Sequence, residues 1–175
     1  MLPASSRLAL ATAFAGLLAA GACAKAPPPP ALPPLTIVAP PEAKAPEVNT
    51  KAPMTLAASA DTNPDGAGRP SPVVVRVYQL KTDAAFKGAD FFALFDDDQK
   101  VLGQELISRD EFVLTPSETR TIDVTVARDA RYVGAVAAFR DIRNAEWRGL
   151  VPAPRAGLNL TVERTRLVLS VIEEK

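Results

Sequence analysis

The stretch DTNPDGAGRPSPVVVRVYQL, Asp61 to Leu80, decides how this chain is read. Asn63-Pro64-Asp65-Gly66 has the chemistry of a tight turn, with proline presetting φ at the second position and glycine closing it. Arg69-Pro70-Ser71-Pro72 then keeps the chain extended, because a residue that precedes proline is pushed out of the helical region. Val73, Val74, Val75 and Val77 follow, with Tyr78 and Leu80, and this β-branched, aromatic run predicts a core strand. The whole stretch is therefore a stiffened, protruding loop that feeds directly into a strand. Loops held on rigid scaffolds are where binding tends to reside.

Downstream of Leu80 the apolar period changes. Phe91, Leu94 and Phe95 fall at helical spacing, with Phe86 before them and Asp83 placed as an N-cap, which predicts a short helix or two helical turns over residues 83–96. Asp96-Asp97-Asp98 reads as a solvated turn that ends it. Strands are then expected at Glu105–Leu114, Arg120–Ala127, Tyr132–Phe139, Leu158–Val162 and Arg166–Ile172. The second of these alternates cleanly, with Ile122, Val124 and Val126 against Thr121, Asp123 and Thr125, as a half-exposed strand does. Tyr132 to Phe139 is apolar on both faces and belongs in the centre of a sheet. Upstream, Met54 to Ala60 is expected as the first strand. Short strands at this spacing, with turn residues between them, predict an all-β fold: an antiparallel β-sandwich with a short helical insertion after the second strand.

Before Met54 the composition is different. Residues 23–53 carry Pro27 to Pro30, Pro33-Pro34, Pro40-Pro41, Pro46 and Pro53, diluted with alanine. Such a segment cannot build a core and favours polyproline II, so it is expected to act as a tether reaching at most about 90 Å. Residues 1–22 have one charge, Arg7, followed by an apolar run from Leu8 to Ala20. That run is shorter than a membrane span requires and fits a signal peptide. Ala20-Gly21-Ala22-Cys23 resembles a bacterial lipobox, which implies lipid on Cys23 and cleavage before it. Ala24, where an Asp would imply retention at the inner membrane, implies the outer one. The sandwich is thus expected over residues 54–175.

Composition excludes several function classes. There is no histidine, so catalysis by Ser-His or Cys-His pairs is ruled out, and the one cysteine lies outside the predicted domain, which leaves no zinc site. Twenty Lys and Arg balance twenty Asp and Glu, so no bulk field draws the chain to nucleic acid or an anionic surface. Asp61 to Gly66 matches the first half of a calcium loop, but the twelfth position is Pro72 instead of the required Glu. Asp96 to Asp98 cannot easily aim three adjacent carboxylates at one ion. No metal and no cofactor is expected. Trp147, with Arg140, Arg143 and Arg148 nearby, suits either an interface anchor or a tryptophan packed over one end of the sandwich.

Taken together, several of these segments resemble the TssJ (VasD/SciN) family, the outer-membrane lipoproteins of type VI secretion systems. The resemblance is carried by Asn63-Pro64-Asp65, by Gly68 to Leu80, by Ala89-Asp90-Phe91-Phe92-Ala93-Leu94-Phe95, by Tyr132 to Arg140 and by Trp147-Arg148, together with the lipobox. It implies a transthyretin-like β-sandwich without catalysis, held by lipid to the periplasmic face of the outer membrane. It implies binding to the periplasmic domain of TssM, with TssL in the same complex. It also implies that the loop between the first two strands makes the contact, here Asp61, Asn63, Pro64, Asp65, Gly66, Arg69, Pro70 and Ser71. A lipid-anchored module that binds peptidoglycan or another carbohydrate through Trp147 is the competing expectation.

Overall fold

The structure is a computed structural model that describes residues 49–173, so the signal peptide, Cys23 and the tether up to residue 48 lie outside the described residues. Among the described residues eight strands form two sheets. Strands β1 (Thr50–Ala58), β4 (Thr119–Val126), β7 (Gly157–Val162) and β8 (Leu167–Ile172) make one sheet in the order β4-β1-β7-β8. Strands β2 (Val73–Leu80), β3 (Leu106–Leu114), β5 (Tyr132–Ala137) and β6 (Arg148–Pro152) make the other in the order β3-β2-β5-β6. Between β2 and β3 the chain forms helices α1 (Ala84–Gly88), α2 (Phe91–Asp96) and α3 (Asp98–Leu102) and a single 3-10 turn.

Alternation explains the sandwich. In β1, Ala52, Met54, Leu56 and Ala58 are buried; in β2, Val73, Val75 and Val77 are buried; in β5, Val133, Ala135 and Ala137 are buried. All but Ala52, which packs with Val126 and Ala130, meet Leu158, Leu160 and Val162 of β7 in one cluster between the sheets. The opposite faces of β2 and β5 explain why the Tyr132–Phe139 run is apolar throughout. Tyr78, Leu80 and Val136 point away from the sandwich and are covered by Phe86, Leu94 and Leu102 of the helices. Each such side chain contributes about 1.5–3 kcal/mol on burial, so the helices form a third layer that seals the sheet. Burial, with Asp98 nearby, pushes the Tyr78 phenol up to about 12, and its hydroxyl donates to the Leu94 carbonyl at 3.4 Å.

Five differences from the sequence reading have physical causes. Strand β1 begins at Thr50, four residues inside the segment read as tether. Pro53 is accommodated because it pairs only with Asp123 of β4; the ladder to β7 starts one residue later, at Met54. The pair β1–β7 is parallel, while every other pair is antiparallel. Strand β6 was not expected, since Gly149 and Pro152 mask a five-residue strand. That glycine is required: a Cβ there would sit 2.9 Å from the Leu169 Cβ of β8. Asp96-Asp97-Asp98 does not end the helical segment. Asp98 opens α3 and is buried because Arg109 of β3 neutralises it at 2.7 Å. Finally, Asp83 does not cap α1 with its side chain but pairs with Lys87, whereas Asp90 caps α2 by accepting from the Ala93 amide at 3.0 Å.

Candidate partner-binding loop

The loop between β1 and β2 has a buried base and an exposed tip. Thr62, Asn63 and Ser71 are buried, whereas Gly66 to Pro70 are exposed. The base is laced to the β7–β8 turn. Thr62 donates its hydroxyl to the Glu163 carbonyl at 2.9 Å, and the Asn63 amide donates to the Arg164 carbonyl at 2.9 Å. The Asn63 side chain then ties two further segments together. Its Nδ2 donates to the Pro72 carbonyl at 2.7 Å, and its Oδ1 accepts from the Arg140 amide at 2.8 Å. Asn63 has φ of 47°, a left-handed conformation that Asn tolerates better than most residues. The tight turn accordingly forms two residues later than the sequence suggested, where the Gly68 amide donates to the Asp65 carbonyl at 2.9 Å.

Asp65 organises the tip. Its Oδ1 accepts from the Ala67 and Arg69 amides, each at 2.9 Å, and its Oδ2 accepts from Arg69 Nε at 2.8 Å. These donors, first the Arg69 amide and then its guanidinium, hold the carboxyl below the usual carboxylate range. The Asp61 carboxyl is lowered too, chiefly by the Ser59 hydroxyl, with Arg164 adding to the effect. The carboxylates that resembled half a calcium loop are thus answered by protein donors. Of the residues singled out in the sequence, Asp61, Pro64, Asp65, Gly66, Arg69 and Pro70 are at least partly accessible, while Asn63 and Ser71 are buried in the base.

Trp147 takes the packing role of the two left open. Its ring meets Phe91 edge-on at 5.4 Å and lies under the Arg148 guanidinium at 4.8 Å. Arg148 donates from Nη1 to the carbonyls of Phe86, Lys87 and Ala89 at 2.8–3.0 Å, fastening the end of α1 to the sheet. The residue proposed to stack on carbohydrate is occupied in holding the helices down.

Residues 50–171 match the family model T6SS-SciN, described as type VI secretion lipoprotein, VasD, EvfM, TssJ. The chain belongs to this lipoprotein family. Solved structures agree. The chain is similar to the T6SS lipoprotein TssJ1 from Pseudomonas aeruginosa, with 36% identity and a TM-score of 0.68 over 73% of this chain and 99% of that one. It is similar to Serratia marcescens Lip, described as a membrane bound component of the type VI secretion system, at 28% identity and TM-score 0.65, covering 73% of this chain and 100% of that one. It is also similar to a chain of the structure described as the T6SS protein TssM C-terminal domain from EAEC, at 26% identity and TM-score 0.60, covering 71% of this chain and 100% of that one. Among curated proteins, none matches. A TssJ-family protein is a membrane-associated structural component of the secretion machine and not an enzyme.

Proposed function

We propose that this TssJ-family chain is the outer-membrane-anchored lipoprotein of a type VI secretion membrane complex, bound on its periplasmic side to the TssM periplasmic domain. Lipid on Cys23 supplies the anchor, and with TssL the complex links the outer and inner membranes. The observation that carries the reading is the loop from Asp61 to Ser71, whose exposed tip stands on a buried, hydrogen-bonded base. A tip already ordered loses little entropy on docking, which is what a scaffold contact needs. The likeness to a chain from the TssM C-terminal domain structure supports TssM as the occupant.

The test substitutes the tip and spares the base. The combined variant Asp65→Ala, Arg69→Ala, Pro70→Ala should weaken binding of the purified TssM periplasmic domain at least about tenfold by calorimetry, with an almost unchanged melting temperature, because these side chains lie outside the core. Unaltered affinity would overturn the loop assignment.

A further inference from the structure

Beside the loop lies a cleft of about 420 Å³, walled by Asn63, Pro64 and Asp65 on one side, Phe139 and Arg140 on another and Arg164 on the third. The chain brings these residues together from three separate segments, and Asn63 is the clamp between them: its side chain accepts from the Arg140 amide, 77 positions on, and its backbone amide donates to the Arg164 carbonyl. Its carboxylates are already satisfied. Asp65 is saturated by the Ala67 and Arg69 donors. Asp141, at the cleft's edge, accepts on both carboxylate oxygens from the Asn144 Nδ2, at 3.0 and 2.9 Å. The cations are not. Arg140 is exposed, and its guanidinium makes no salt bridge among the described residues; the Asp65 carboxylate feels its charge only weakly, after its own Arg69 and Ala67 donors. Arg164 has only a long contact with Asp61, 3.7 Å between partners that are both more than half exposed. Such a contact adds little and is readily exchanged for a better one.

We propose that this cleft receives an acidic side chain, Asp or Glu, of the protein partner held by the neighbouring loop. Charge complementarity selects the occupant: two guanidinium groups lack a strong partner, whereas each nearby carboxylate has its own. Guanidinium groups match carboxylates in a paired, directional geometry. Phe139 and Pro64 provide apolar wall for the methylene stem of such a side chain. This inference rests on the reading of the loop as the TssM contact, and it adds a second, electrostatic anchor that the loop alone does not supply.

The test is built to separate the two. Full-length Arg140→Gln/Arg164→Gln protein is titrated with purified TssM periplasmic domain at low and at high salt, beside Arg155→Gln as an exposed arginine away from the cleft. The double variant should bind about tenfold more weakly at low salt and show a flatter salt dependence, while Arg155→Gln matches the unsubstituted chain. Arg140→Lys should recover part of the loss. If the double variant binds within about twofold of the parent, the acidic-anchor proposal is overturned; a loss with the tip variant in the same assay then leaves the loop reading standing. An equal loss with Arg155→Gln overturns the proposal in favour of general charge attraction. If neither tip nor cleft variants alter affinity, both readings fail.

Discussion

Asn63 sits at the meeting point of the loop, the segment after β5 and the β7–β8 turn, and it uses its backbone and both side-chain atoms to hold them. Replacing it by alanine leaves the Pro72 carbonyl and the Arg140 amide without their partners and puts a residue that tolerates the left-handed conformation less well than Asn at φ of 47°. Asn63→Ala should therefore cost about 2–3 kcal/mol in denaturant unfolding. Asn63→Gly should recover about 1 kcal/mol of that, since glycine adopts the same φ without penalty. Equal costs for the two variants would mean that backbone strain has no part in the effect. The sequence marked this loop through its prolines and glycines, which act locally. It did not mark the clamp, because a side chain's hydrogen bonds to residues 9 and 77 positions away leave no periodic trace. For the same reason Arg164 escaped notice: its place in the cleft depends on how a turn after β7 folds back beside a loop after β1.

Among the elements, the helical layer and its seat on β5 are the most constrained. A Cβ added to Gly134 would lie 2.7 Å from Phe86 Cζ and 2.9 Å from each Cε. That ring is itself buried against Tyr78, with centroids 5.8 Å apart, so it has no open space to retreat into. Gly134→Ala should destabilise the protein by about 1–3 kcal/mol by overpacking. Adding Phe86→Leu should make the double variant less unstable than the sum of the single ones, and a denaturant double-mutant cycle measures the coupling. Additive costs would show that the helix does not rest on this glycine. Here the sequence was informative in proportion to how much of an element's environment is periodic. The strands β2, β4, β5, β7 and β8 were legible because alternation or a continuous apolar run reports which faces are covered. Strand β6 was not, because its glycine answers to Leu169 on another sheet and not to its own neighbours. The first four residues of β1 were hidden by Pro53, whose tolerance depends on the parallel ladder starting at Met54. Asp98 was read as solvated because an arginine eleven residues on, in β3, is what makes its burial possible.

At the scale of the molecule, the proposed function separates holding from anchoring. The cleft and loop sit on a domain whose first strand begins at Thr50, 27 positions after Cys23. A fully extended chain over that interval reaches about 80 Å. Among the described residues, no helix is long and apolar enough to cross a membrane. Under the proposal the membrane attachment comes from acyl chains on Cys23, each buried CH₂ contributing about 0.8 kcal/mol, and more than one chain is needed for stable residence. Cys23→Ser should then move the full-length chain from the membrane to the soluble fraction of cells, and mass spectrometry of the parent's N-terminal peptide should show the added lipid. The same variant should bind purified TssM periplasmic domain with unchanged affinity, because the loop and cleft proposed as the contact surface are built wholly from residues after Asn49. What it loses is confinement: an anchored chain searches for its partner within a layer no deeper than its tether, whereas a released one is diluted through the compartment and the effective concentration falls. Assembly in cells should fail although the isolated contact survives. A substituted chain that stays with the membrane would refute the anchor, and one that also lost affinity in solution would show that the segment around Cys23 takes part in binding.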